Sequence, residues 1–300
     1  MTSSPGGFPF TVNGQLPTLD APVLIVMLSG WIDASGAASA AMDYLVESSN
    51  AEIIVEFDPD TFIDFRARRP VMELREGVNT SIVWNTPQIK MGTDAAGTQF
   101  FMLTGPEPDT SWNLFARSVA GIAEQLGVVK TIGMGAYPFG APHTRAVGLT
   151  ATSPDPAIIE RLTLSKNSLD VPAGIEPVIE HSLHKIGIAS MCIWAQVPHY
   201  VASMAYPAAT AALLEAVSME TGLTLDGSRF SREAGVQRER LDQLVSNNPE
   251  HQEMLRKLEQ SYDETMSETG SMPVTSMDIP TVDEIAAEVE QFLRDQQPGG

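Results

Sequence analysis

The sequence predicts an α/β body on a mostly parallel sheet covered by helices on both faces, with a helical C-terminal extension. Three observations carry this. Several apolar runs lack in–out alternation, the pattern of strands buried on both faces. Helical segments alternate with those runs, and strand–helix–strand order implies parallel pairing through right-handed crossovers. After Asp226 the composition shifts to Glu, Gln and Arg, with apolar residues at helical spacing.

Taken in order, the run over 23–30 is apolar and ends at Gly30, a buried strand. Residues 33–45 are rich in alanine, with Asp33 or Ser35 placed to cap a helix that packs closely on a sheet. Residues 53–57 form the next strand, stopped by Asp58 and Pro59. Residues 81–84 and 98–103 bracket a polar stretch over 91–97 and predict two strands joined by a long hairpin loop. A helix over 111–126 puts Leu114, Val119, Ile122 and Leu126 on one stripe, closed by Gly127. A strand over 128–134, a helix over 175–186, a strand over 188–195 and a helix over 208–219 complete the body. The strands at Val23, Ile53, Val128 and Ile188 are expected side by side in one sheet. Residues 228–268 predict two helices separated at Asn247–Pro249, and 281–294 a last acidic helix. The division is a body over 1–226 and an extension over 227–300 that packs on the body or a neighbouring subunit, because short helices depend on tertiary packing.

The 300 residues carry 18 Lys+Arg against 38 Asp+Glu, a net charge of −20. That charge repels nucleic-acid phosphate and anionic membrane surfaces, and no basic stretch is seen that would override it. Cys192 is the lone cysteine and lies in an apolar run, so it reads as a buried thiol and excludes an intrachain disulfide. No leader of signal-peptide type opens the sequence, and no apolar run approaches membrane-spanning length, so a cytoplasmic protein is expected.

Three segments with chemically capable residues each follow a predicted buried strand: Trp31 and Asp33, His143 and Arg145, His199 and Tyr200. Loops beyond the carboxyl ends of parallel strands form the ligand crevice of open α/β sheets, so these six residues are expected on one rim. Such a set can bind an anion or move protons; equally, it can brace loops. A bracing Arg145 requires a carboxylate partner, Asp33 first. His181 and His184 share a helix face without an evident third ligand. Ser182 and Lys185 have S-x-x-K spacing without its companion motifs. Gly133-Met-Gly135 fails the dinucleotide fingerprint at its third glycine. No metal or cofactor is expected.

The segments Gly30-Trp-Ile-Asp-Ala34, Gly105-Pro-Glu-Pro-Asp109 with Trp112, Pro142-His-Thr-Arg145 and Trp194-Ala-Gln-Val-Pro-His-Tyr200 occur together. This combination resembles the proteasome assembly chaperone family, second-chaperone type, in its actinobacterial branch. The resemblance implies a three-layer αβα sandwich similar to the phosphorylase/hydrolase-like fold, homo-oligomers and protein partners. Several relatives dock on proteasome subunits through a hydrophobic-Tyr-any tail. This chain instead ends Arg294-Asp-Gln-Gln-Pro-Gly-Gly300, which speaks against that route. Two functions are carried forward: a non-catalytic, chaperone-like protein-binding oligomer, and an enzyme or binder for an anionic metabolite at the rim.

Overall fold

A computed structural model describes residues 2–3, 7–162, 164 and 168–269. Eleven strands are β1 (Thr2–Ser3), β2 (Phe10–Val12), β3 (Val23–Ser29), β4 (Glu52–Phe57), β5 (Val71–Arg75), β6 (Val78–Val83), β7 (Gln88–Thr93), β8 (Gln99–Pro106), β9 (Lys130–Phe139), β10 (Leu149–Thr152) and β11 (Ala189–Pro198). The helices are α1 (Ala37–Ser48), α2 (Pro59–Phe62), α3 (Trp112–Gln125), α4 (Pro156–Arg161), α5 (Ile175–His184), α6 (Pro207–Thr221), α7 (Ser228–Ser246) and α8 (Pro249–Thr269).

Nine strands form one sheet in the order β1-β2-β4-β7-β8-β3-β9-β11-β10. The centre, β8-β3-β9-β11, is parallel throughout. Antiparallel pairs flank it, so β1, β3, β4, β8, β9 and β11 point one way and β2, β7 and β10 the other. The sheet is mixed but mostly parallel.

Side chains alternate across a strand, and in β3 both sets are apolar. Ile25 and Met27 share a core cluster with Ala37, Ala38 and Ala41 of α1 and Ala209 and Leu213 of α6. Leu24, Val26 and Leu28 share another with Phe115, Val119 and Ile122 of α3 and Ile175, Ile179 and Leu183 of α5. Each fully buried side chain of this size contributes about 1.5–3 kcal/mol. Helix, sheet and helix therefore make three layers.

Two expectations need correction. The strand at Ile53 (β4) lies in the sheet and points the same way as β3, but it is not β3's neighbour. β7 and β8 stand between them, and Phe100–Leu103 of β8 are wholly buried at the centre. Nor do residues 81–84 pair with 98–103. Strand β6 pairs with β5 in a separate two-stranded hairpin, and the true partner of β8 is β7. Met91, Gly92 and Thr93 are strand residues, and the turn is short. It closes on Asp94, whose Oδ1 accepts from the N–H of Ala96 (2.9 Å) and Thr98 (2.7 Å).

The extension packs on the body as α7 and α8. Phe230 meets Tyr44 of α1 edge-on with ring centroids 5.5 Å apart, and Leu241 and Tyr262 are buried. The helix expected over 281–294 lies outside the described residues. Among the described residues no helix is long and apolar enough to cross a membrane.

Candidate functional site

Because β3, β9 and β11 are parallel neighbours, the loops after them open on one edge of the sheet. That places Asp33, His143 and His199 along one rim. What each side chain does there differs.

Asp33 caps α1. Its Oδ1 accepts from the Ala38 N–H and its Oδ2 from the Ser39 N–H, both at 2.9 Å, and Ser39 Oγ donates to Oδ2 at 2.7 Å. These are first-turn N–H groups that lack partners inside the helix, and a carboxylate also suits the positive end of the helix dipole. The approach needs two left-handed residues, Ser35 (φ 61°) and Gly36 (φ 64°).

His143 is 4% exposed and tied on both ring nitrogens. Its backbone N–H donates to Tyr200 Oη at 2.8 Å, and Nδ1 lies 2.7 Å from the same oxygen. The phenol accepts the backbone proton and offers its own to Nδ1, so Nε2 carries the ring proton toward Asp242 Oδ1 of α7 at 3.1 Å. Burial raises the Tyr200 phenol well above its usual range and keeps it a neutral donor. His199 stacks edge-on against Tyr200 with centroids 5.3 Å apart.

The next three residues bind α8. Thr144 Oγ1 donates to Glu259 Oε1 at 2.5 Å. Arg145 grips Asp263 with two bonds, Nε to Oδ1 at 2.8 Å and Nη2 to Oδ2 at 2.6 Å, and reaches Glu259 Oε1 with Nη1 at 3.1 Å. Hydrogen bonding to Asp263 raises the guanidinium pKa, and the same contact lowers that of Asp263. Tyr262 Oη donates to the Ala146 carbonyl at 3.2 Å. Arg145 thus has carboxylate partners, but they belong to α8, and Asp33 is not one of them. Asp33 is held by the start of α1, so it faces its own helix. The available signal for the true partners is the i, i+3, i+4 spacing of Glu259, Tyr262 and Asp263, which puts them on one helix face.

Trp31 belongs to a different place. It lies over Gly174, where a Cβ would sit 2.7 Å from its ring, and it lines a cavity of about 20 Å³ with Glu107, Glu176 and Trp194. That is space for a single water. Beneath it are carboxyl groups that the sequence reading missed. Desolvation pushes Glu176 up to about 8 and raises Glu107 and, strongly, Glu180. Cys192 Sγ donates to Glu176 Oε2 at 3.2 Å, and burial pushes its thiol up, which leaves it protonated and unreactive. Gly133 and Gly135 make this room. A Cβ on Gly133 would lie 3.0 Å from Cys192 Sγ and from Glu176 Oε2, and one on Gly135 2.3 Å from the Trp194 ring. The paired glycines serve packing.

The molecule is therefore a three-layer α/β protein whose strand-end rim is closed by its own C-terminal helices. Residues 27–245 match the model of the PAC2 family, and the chain belongs to that family. A Corynebacterium glutamicum protein of unknown function is similar with a TM-score of 0.78 and 30% identity, over 86% of this chain and 98% of that one. A Mycobacterium tuberculosis protein of unknown function gives 0.79 and 30%, over 89% and 95%. A Mycobacterium tuberculosis proteasome-assembly chaperone homologue gives 0.71 and 26%, over 78% and 99%. No curated protein matches.

Proposed function

We propose that this chain is a non-catalytic, assembly-chaperone-like protein that works in the cytoplasm as a homo-oligomer and binds other protein chains. In this reading a body over 1–226 is braced by the extension that begins at 227. One observation carries it: the polar groups best able to do chemistry at the strand ends are already engaged inside the fold, while the apolar hairpin β5–β6 is exposed. The rival, an anion site at the rim, needs a free guanidinium, and Arg145 is held by Asp263 and Glu259. The similarity to a proteasome-assembly chaperone homologue supports the same direction.

The test is mass by light scattering on the full chain, together with thermal shifts in phosphate and in dicarboxylates. The expected result is a multiple of 32.3 kDa with no saturable shift. A 32.3 kDa monomer at every concentration, with an anion-dependent shift that Arg145→Ala abolishes, would overturn the proposal in favour of a ligand binder.

A further inference from the structure

The hairpin β5–β6 forms its own two-stranded sheet, apart from the nine-stranded one. An isolated two-stranded hairpin is marginal in water, so something must cover it. Val71 pairs with Val83 and Met72 with Ile82, and adjacent pairs point to opposite faces, so both faces are apolar. Val71, Met72, Leu74, Val78, Ile82, Val83 and Trp84 are 45–65% exposed. Apolar side chains gathered at such exposure on one hairpin mark an interaction surface. Charge narrows the occupant. Residues 65–84 hold Arg66, Arg68, Arg69 and Arg75 against Glu73 and Glu76, a net of +2 on a chain of −20. Among the described residues, Arg68 alone of these arginines is paired to a carboxylate, Asp109, at 2.9 Å.

A complementary surface exists on the same chain. Helix α8 has a shallow groove lined by Pro249, Met254, Leu258 and Ser261 together with Glu250, Glu253 and Lys257. Glu253 is held by Arg256 and Lys257, which leaves Glu250 as the carboxylate open to an incoming cation. The helix carries six carboxylates against Arg256 and Lys257; with Glu259 and Asp263 already held by Arg145, the remaining four leave a net of −2. The hairpin leaves the sheet between β4 and β7, whereas α8 is fixed to the loop after β9, toward the other end of the strand order.

We propose that the β5–β6 arm of one copy seats in the α8 groove of a second copy of this chain. The inference rests on the homo-oligomer reading above and specifies its contact. Arm and groove are different patches, so the contact is either exchanged reciprocally in a two-fold dimer or repeated head-to-tail into a ring or filament. Apolar faces on the arm meet Met254 and Leu258, and the arginines at its root meet Glu250.

The test uses two full-length double variants, Val71→Glu with Ile82→Glu in the arm and Met254→Glu with Leu258→Glu in the groove. Each is expected to be a 32.3 kDa monomer by light scattering, with wild-type circular dichroism. Mixed one to one they should form a heterodimer, because one variant keeps an intact groove and the other an intact arm. A third variant, Arg66→Glu with Arg69→Glu at exposed positions, guards against misfolding and should weaken assembly at least tenfold. A wild-type oligomer that persists in either double variant overturns the inference but not the homo-oligomer reading. Loss of assembly in both variants with no rescue on mixing also overturns it, since an intact arm and an intact groove would then have failed to meet. A monomeric wild type removes both.

Discussion

The strand-end rim and the β5–β6 arm are built in opposite ways. At the rim, polar side chains that could do chemistry are closed into contacts with α1, α7 and α8. On the arm, apolar side chains that would ordinarily be core stand in solvent. His143, with one per cent of its side chain exposed, holds a tyrosine and an aspartate, whereas Val71 is 65% exposed on an isolated hairpin. Polarity at a strand end is thus a poor guide to activity here, because buried polar groups need partners and these have found them internally. The exposed apolar surface is the departure that calls for a function.

The largest effect on stability is expected beneath Trp31, where carboxyl groups are desolvated. Desolvation pushes the Glu176 carboxyl up to about 8 from its ordinary value of 4.5. The folded state therefore holds a proton that the unfolded state releases, and stability falls as pH rises from about 4.5 to 8. Glu176→Gln should flatten that slope and stabilise the protein at pH 8 by on the order of 2–5 kcal/mol. Thermal unfolding at pH 5 and pH 8 checks it; a variant that melts no higher than wild type at pH 8 contradicts it.

Next comes Tyr200→Phe, which leaves the buried His143 N–H and Nδ1 without their shared oxygen. A loss of about 1–3 kcal/mol in urea unfolding is expected, and the assembly mass should not change. A mass change without destabilisation would move the rim into the same class as the arm.

Arg145→Ala should cost less, about 1 kcal/mol, because the guanidinium is one-third exposed and its partner Asp263 is 54% exposed. The loss should shrink in high salt. A loss near that of a buried ion pair, about 3–5 kcal/mol, would show that α8 shields the contact more than its exposure indicates.

Much of this fold was legible in the sequence, for a physical reason. A strand buried on both faces must be apolar at every position, and the runs at Val23, Val128 and Ile188 locate the parallel centre directly. The helices α3, α5, α7 and α8 follow from their apolar stripes. The hairpins were not legible in the same way. Pairing is set by register and long-range contact, and residues 81–84 look the same whether they pair with β8 or with β5. The rim was half legible: topology brings Asp33, His143 and His199 to one edge, but the partners of Arg145 lie 114 and 118 positions away on α8. No local pattern links such distant residues. The half-buried Glu176 and the buried Glu180 share the inward face of α5 with Ile175 and Ile179, where their apolar neighbours conceal them in a sequence.

The central claim is that the rim holds the fold and the arm holds the next protein chain. Hydrogen exchange on the wild-type chain, above and below the concentration at which it assembles, tests both at once. Amides over 71–83 are expected to gain protection on assembly, while those over 143–146 are protected equally in both states. Protection that changes over 143–146 and stays constant over 71–83 would contradict that claim.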